Sequence, residues 1–383
     1  MRILMLARDN SLQGGINRHI LAVAPAVNVV EGCEVAVCTT SPAGEFNDAL
    51  TRAGVRTYAL GFQHGHSLRT WRRFRSVMRD FRPDVVHAHS MSIMVRLYLG
   101  LFCRKIPVVS TCHVLLDSDS GVRKKTLRDW IDDLADKMLP GKPRKTIFIS
   151  RGVACGKGYP FGTVVYNPLR FDGSSFSCGK NNLRVELGLS SDVPLIGTAC
   201  RIAPVKRPRV FVRVMCDVLK AIPRAHAVVC GTSQDQTLMR VLMHMADEIG
   251  LGARFHWLGY RSDAAKITAE LDCFVMTSAT EGMPTALLEA MSAKTPIAFM
   301  RGKGGLVDLD GLNNSEGPFA VVADADDAEG LANGIVGVLS FPDAARERAE
   351  RAFAVGVRHF DLVSVKTQLV EVYHGLLSQR QRK

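Results

Sequence analysis

The residues best placed to do chemistry lie in the run Thr280-Glu281-Gly282-Met283-Pro284-Thr285-Ala286-Leu287-Leu288-Glu289. The apolar segment Cys273 to Met276 reads as a buried strand, and Thr277 to Thr280 as the loop that leaves it. Gly282 permits a tight turn. Pro284, with its fixed φ and no N–H, suits the first position of a helix running to about Ala293. A helix start carries N–H groups with no intrahelical partner and favours anions. Glu281 stands just outside it, where a carboxylate repels phosphate but can accept hydrogen bonds from hydroxyls. Thr285, Ala286, Glu289, Ser292 and Ala293 share one helix face by i, i+3, i+4 spacing, small side chains around a single carboxylate. Two carboxylates around a phosphate-ready helix start point to a ligand with both phosphate and hydroxyls. On spacing alone a plainer reading stands beside it, with Glu281 compensating the helix dipole and Glu289 a solvated helix residue.

Other candidates sit where strands end. The strand Pro194 to Cys200 leads into Arg201-Ile202-Ala203-Pro204-Val205-Lys206. Two cations five residues apart at a strand exit can converge on a diphosphate. Taken alone they are equally a surface charge cluster. Gly231 follows the strand His226 to Cys230, Tyr260 follows the segment Phe255 to Gly259, and Gly302, Gly305 and Asp308 follow the strand Pro296 to Met300. No D-x-D-like acidic pair stands at a strand end, so no metal or other cofactor is expected. Near the N-terminus, Gly14-Gly15 lies between the strand Arg2 to Ala7 and a helix from about Asn17 to Val29. A glycine pair there lets a ligand approach the backbone, or is only a turn. It is not G-x-G-x-x-G, which argues against an NAD site. Asp84-Val85-Val86-His87-Ala88-His89-Ser90 is a strand ending in two histidines, with no further metal ligands nearby. The strand Val108 to Thr111 ends in Cys112-His113.

These segments need a scaffold, and the chain repeats the alternation of strand and helix that builds a parallel sheet with helices on both faces. At 383 residues there is room for two such domains. A Gly- and Ser-rich stretch from Pro168 to about Asn182 reads as the linker between domains 1–168 and 183–360, with a last helix, about 361–378, packing back on the first domain. The ten scattered cysteines, with no C-x-x-C pair, read as reduced thiols of a cytoplasmic protein. No apolar run is long enough to span a bilayer. Charge is uneven: residues 1–168 carry 24 Lys+Arg against 13 Asp+Glu, and the remainder 25 against 24. A basic half points to a polyanionic partner such as an anionic membrane, a charged lipid carrier or nucleic acid. Within it, a helix over residues 67–82 places Trp71, Phe74, Met78 and Phe81 on one stripe and Arg69, Arg72, Arg73, Arg75 and Arg79 around it. Either the stripe packs in the core beneath a solvated basic face, or the helix lies on an anionic membrane at the inner face of the cell. Residues 117–145 read as a polar, basic insertion.

Taken together, these motifs resemble the GT-B retaining glycosyltransferases of family 4, over essentially the whole chain. Glu281 and Glu289 match that family's E-x7-E motif, Arg201 and Lys206 its G-R-x-x-x-x-K, with Cys200 and Arg207 in place of glycines, and Asp84 to Ser90 its D-V-V-H-A-H-S. The resemblance implies two Rossmann-like doubly wound domains facing a central cleft. It implies transfer of a sugar from a UDP- or GDP-linked donor, with retention, to a glycan or lipid-linked acceptor. It places Glu281 and His113 against the donor sugar, Glu289 on the ribose, and Arg201, Lys206 and the Gly282-Met283-Pro284 helix start on the diphosphate. Gly14 and Gly15 would face donor phosphates and acceptor, while Gly231 and Tyr260 would flank the nucleotide. Retention would follow from same-face attack, with the departing phosphate taking the acceptor proton. Two alternatives are a GT-B sugar-nucleotide epimerase or hydrolase and a basic nucleic-acid-binding protein. The second lacks aromatic residues interleaved on a strand platform, so no nucleic acid is expected.

Overall fold

A computed structural model describes residues 1–8, 10–12, 15–61, 68–89, 95, 98–100, 103, 105–113, 144–172 and 182–381. The Gly14 site and nearly all of the 117–145 insertion lie outside the described residues. The chain divides into two α/β units, Met1–Pro168 with Leu362–Lys383, and Leu169–Asp361.

The first unit is built on seven parallel strands in the order β3-β2-β1-β4-β5-β6-β7. These are β1 (Arg2–Ala7), β2 (Glu34–Thr39), β3 (Arg56–Ala59), β4 (Val85–Ala88), β5 (Val108–Cys112), β6 (Arg144–Phe148) and β7 (Thr163–Val164). Side chains alternate across each strand. Ile3, Met5 and Ala7 therefore enter one core layer and Leu4 and Leu6 the other. The first layer is closed by the helix Gly15–Asn28 and the C-terminal helix Leu362–Gln381, which contributes Val365, Leu369, Tyr373 and Leu376. The second is closed by the helix Leu68–Phe81 through Phe74, Met78 and Phe81, all buried, with Trp71 half-buried beside them. The aromatic stripe is thus core. Truncating a buried Phe such as Phe74 to Ala costs about 3–5 kcal/mol in comparable cores.

The second unit has six parallel strands in the order β10-β9-β8-β11-β13-β15. They are β8 (Leu195–Ala199), β9 (His226–Cys230), β10 (Phe255–Gly259), β11 (Cys273–Met276), β13 (Ile297–Met300) and β15 (Val321–Ala323). Two further strands of two residues each, β12 (Thr280–Glu281) and β14 (Lys303–Gly304), pair with one another. Residues 173–181 of the expected linker lie outside the described residues. Leu169 bridges to Asp361, and its N–H donates to the Phe360 carbonyl at 2.9 Å, so the chain is committed to the second unit directly after Pro168. The nine cysteines among the described residues are free thiols. No helix among the described residues is long and apolar enough to cross a membrane.

Candidate active site

In each sheet the strand order reverses direction once, between β1 and β4 in the first unit and between β8 and β11 in the second. Open parallel sheets bind ligands beyond the carboxyl ends of the strands that flank such a reversal. The candidate residues leave from those ends. Arg201 and Lys206 follow β8, and Glu281 follows β11. In the first unit Gly15 follows β1, His89 follows β4 and His113 follows the next strand, β5.

Three loops of the second unit are stitched together by backbone contacts. The Ala279 N–H donates to the Val205 carbonyl at 2.8 Å, and the Lys303 N–H to the Ala279 carbonyl at 2.8 Å. The buried Thr277 hydroxyl donates to the Lys206 carbonyl at 2.9 Å. Pairing of Thr280 with Lys303 and of Glu281 with Gly304 completes the arrangement. Glycine is required where the loops touch. A Cβ on Gly305 would lie 2.8 Å from the Gly282 carbonyl oxygen, and one on Gly302 would lie 2.8 Å from that of Ala279.

This stitching brings Lys206 and Glu281, 75 residues apart in sequence, into a largely buried ion pair. The ammonium has three donors, so a phosphate oxygen can take a second one without displacing Glu281. Arg201 is exposed and makes no ion pair among the described residues, leaving its guanidinium available. The helix Thr285–Ser292 starts one residue later than its sequence suggests, with Pro284 as the flanking cap rather than the first helical residue. No side chain caps this helix, nor the helix Gly305–Ser315, whose own flanking Gly304 has a φ of 70°. The Thr285–Ser292 start, which closely follows the Glu281 that pairs with Lys206, therefore offers N–H groups able to meet an anion.

The open face of this helix is narrower than expected. Thr285, Ala286 and Glu289 are half-buried, but Ser292 is buried and its hydroxyl donates to the Arg170 carbonyl at 2.9 Å. Spacing cannot show which end of a face meets a neighbouring segment. Met283 is buried. Gly231 has a structural reason to be glycine. Its φ is 148°, its N–H donates to the Gly259 carbonyl at 2.7 Å, and a Cβ would fall 1.8 Å from the Cys200 carbonyl oxygen. Tyr260, which follows Gly259, is exposed. Arg207 adopts left-handed backbone at φ 49°, where glycine would sit without strain, and its guanidinium donates to the Ala325 carbonyl at 2.6 Å.

The first unit gathers something the sequence did not disclose, a cluster of four histidines. His87 is fixed on both sides, with Nδ1 2.6 Å from the Tyr373 hydroxyl and Nε2 2.6 Å from the Thr111 hydroxyl. His89 packs against it with the rings tilted and their centroids 4.1 Å apart, and meets His113 through an Nδ1–Nε2 contact of 3.0 Å. His19, from the helix after β1, lies 5.1 Å from both His89 and His113 by ring centroids. Burial lowers His19 to about 4 and His87 to about 3, and holds His89 and His113 well below the ordinary imidazole value, with neighbouring imidazoles adding to the effect on the last three. All four are neutral near pH 7. The only advance sign of His19 was a polar ring at a core position of an amphipathic helix. Among the described residues no three His, Cys, Asp or Glu side chains are arranged to hold a metal ion. Gly15 opens its helix with no heavy atom near the position of a Cβ.

Family models match both units. That of the glycosyl transferases group 1 covers residues 179–354, and that of glycosyltransferase family 4 covers residues 13–154. The chain belongs to the GT-B group 1 glycosyltransferases. Its fold matches HepE of Anabaena, solved in complex with UDP and glucose, at a TM-score of 0.78 and 20% identity, over 98% of this chain and 100% of that one. The glycosyltransferase is also similar to two curated proteins. One is the lipopolysaccharide core biosynthesis glycosyltransferase LpsE of Rhizobium meliloti, 23% identical over 51% of this chain and 53% of that protein. The other is the UDP-Gal:alpha-D-GlcNAc-diphosphoundecaprenol alpha-1,3-galactosyltransferase of Escherichia coli, 27% identical over 62% of this chain and 63% of that protein. The match thus spans about half to three fifths of these relatives.

Proposed function

We propose that this glycosyltransferase moves a sugar from a nucleoside diphosphate sugar, UDP-linked, to a lipid-linked acceptor in the assembly of a cell-surface glycan, with retention of anomeric configuration. The observation that carries the reading is the joining of Lys206, Glu281 and the uncapped Thr285–Ser292 helix start at the strand reversal of the second unit. Cation, orphan N–H groups and hydroxyl-accepting carboxylate are what a sugar diphosphate requires. A UDP donor and a diphospholipid-linked acceptor are supported by the Escherichia coli relative, and UDP also by the HepE complex.

In this reading Lys206, Arg201 and the helix start stabilise the charge that grows on the leaving diphosphate, without a metal. Glu281 accepts from hydroxyls of the transferred sugar, and Glu289 from the ribose. His113 donates to the sugar. Retention follows from attack on the same face as departure, the leaving phosphate oxygen taking the acceptor proton. The exposed Arg69, Arg72, Arg75 and Arg79 face an anionic membrane that holds the acceptor. Arg73 is partly withdrawn from that role, because its guanidinium donates to the Leu60 carbonyl at 2.6 Å.

The test is an assay of UDP release from UDP-galactose, UDP-glucose and UDP-N-acetylglucosamine with a GlcNAc-diphosphate lipid acceptor, with and without EDTA, and NMR of the product anomer. Acceptor-dependent UDP release, insensitive to EDTA, with an α-linked product supports the reading. Release without acceptor points to a hydrolase or epimerase, an inverted product removes retention, and Mg²⁺- or Mn²⁺-restorable loss in EDTA removes the metal-free mechanism.

A further inference from the structure

The histidine cluster carries more information than the position of His113 alone. His89 is buried, and its Nε2 has no hydrogen-bond partner. Its Nδ1 lies 3.0 Å from Nε2 of His113. A neutral imidazole carries one N–H and one lone pair. One proton therefore lies between the two rings, and the other sits at an outer nitrogen.

If His113 donated to His89, the proton of His89 would be left on Nε2, a buried N–H with nothing to receive it. If His89 donates, the atom left without a partner at Nε2 is a lone pair, while the His113 proton moves to Nδ1. Orphaned buried N–H groups are rare in folded proteins, and unsatisfied acceptors less so. At the other end, His113 is half-buried, and its Nδ1 has no protein partner among the described residues.

We propose that His89 is a positioning residue that sets the tautomer of His113: its Nδ1–H donates to Nε2 of His113, which therefore presents a neutral Nδ1–H donor to an oxygen acceptor of the ligand. The ring that sets the tautomer is itself held. The His89 backbone N–H donates to the Leu6 carbonyl at 3.1 Å, and its ring packs against that of His87, pinned between Tyr373 and Thr111. The C-terminal helix thus reaches the site through Tyr373. Such a hydrogen bond at one ring nitrogen fixes what the other can do. A neutral donor suits a sugar hydroxyl, since it directs without adding charge beside the departing anion. That last step rests on the proposed assignment of His113 to the transferred sugar; the tautomer itself does not.

The experiment is imidazole ¹⁵N–¹H correlation NMR on the full-length protein at pH 7, with the His113 signals assigned by their loss in His113→Asn. The expected result is protonation at Nδ1 of both His89 and His113. Protonation of His113 at Nε2 overturns the proposal, whatever the activity. In His89→Phe, which removes the donor, His113 should shift toward the Nε2–H form. Turnover with the best UDP-sugar should fall roughly 10-fold at nearly constant KM, the scale of one hydrogen bond. His89→Asn, which keeps a donor near Nδ1, should restore much of both. An unchanged His113 tautomer in His89→Phe also overturns the proposal. A correct tautomer with wild-type turnover in His113→Phe would instead remove His113 from the reaction and leave the tautomer assignment standing.

Discussion

The two units share a topology and differ in what they place at the strand reversal. In the first, four imidazoles are largely buried and neutral, and their bonds run to hydroxyls and to one another. In the second, an ammonium and a carboxylate are paired just ahead of an uncapped helix start, with an exposed guanidinium following the adjoining strand. One surface offers neutral hydrogen bonds, the other charge. A sugar diphosphate has both kinds of need: hydroxyls directed by groups that add no net charge, and a leaving diphosphate stabilised by groups that do. In both units the segments that follow the strands, more than the strands themselves, carry these groups.

The largest expected effect separates the two surfaces by activity. Lys206→Ala and Arg201→Ala should each lower turnover about 10²-fold or more, as loss of one transition-state charge stabiliser does. Wild-type-like rates in both would take the charged surface out of the reaction.

Next is a change that should break the second unit without touching an ionisable group. Gly231→Ala places a methyl against the Cys200 carbonyl in a backbone region disfavoured for alanine. It should destabilise the protein by about 3 kcal/mol in thermal or denaturant unfolding. A loss below about 0.5 kcal/mol, the scale of an ordinary surface change, would mean that the loops after β8 and β9 are not in contact.

Acid should act more strongly on the first unit, because His226 and His256 of the second are also held low by burial but are only half-buried. Unfolded imidazoles titrate near their ordinary value of about 6.5, whereas burial holds His19 at about 4 and His87 at about 3. The unfolded chain therefore binds more protons between these values, and stability rises with pH across that window. It is fully present above about pH 6.5 and is lost as pH falls toward 4, by up to about 1.4 kcal/mol per histidine per pH unit. The polar partners bonded to the four rings include Tyr373 and Thr111, and no carboxylate is bonded to them among the described residues. Hydrogen exchange at pH 7 and pH 5 should show the strands Arg2–Ala7 and Val85–Ala88 loosening before Leu195–Ala199. Uniform loosening would remove the asymmetry.

The smallest effect concerns the basic face of the helix Leu68–Phe81. With its aromatic stripe in the core, only arginines remain to meet a membrane, at about 1 kcal/mol each at low salt. Flotation with anionic vesicles should be lost at high salt and in a variant replacing Arg69, Arg72, Arg75 and Arg79 by Gln. Equal flotation with neutral vesicles would mean that the arginines are only a solvated face.

The fold was legible because periodicity alternates strongly along the chain, and the helix over 67–82 could be placed to within a residue. Its stripe was not decidable from spacing, since core and lipid ask for the same side chains. In the site, Glu281 and Lys206 were readable as types at strand exits, but not as a pair, because nothing local links residues 75 apart. The strands Thr280–Glu281 and Lys303–Gly304, of two residues each, are too short to leave a periodic signal. The histidine cluster was hidden for a related reason: the helix after β1, the end of β4 and the end of β5 contribute one or two rings each, and only the strand order brings them together.

The central assignment, a nucleoside diphosphate at the strand reversal of the second unit, is tested most directly by hydrogen exchange with UDP. At about 100 times its Kd a ligand stabilises its site by roughly 2.7 kcal/mol. UDP should slow exchange in residues 200–207, 277–287 and 302–307, and Lys206→Ala should abolish most of that protection. Absence of protection in these three loops at saturating UDP, or protection confined to the first unit, would contradict the assignment.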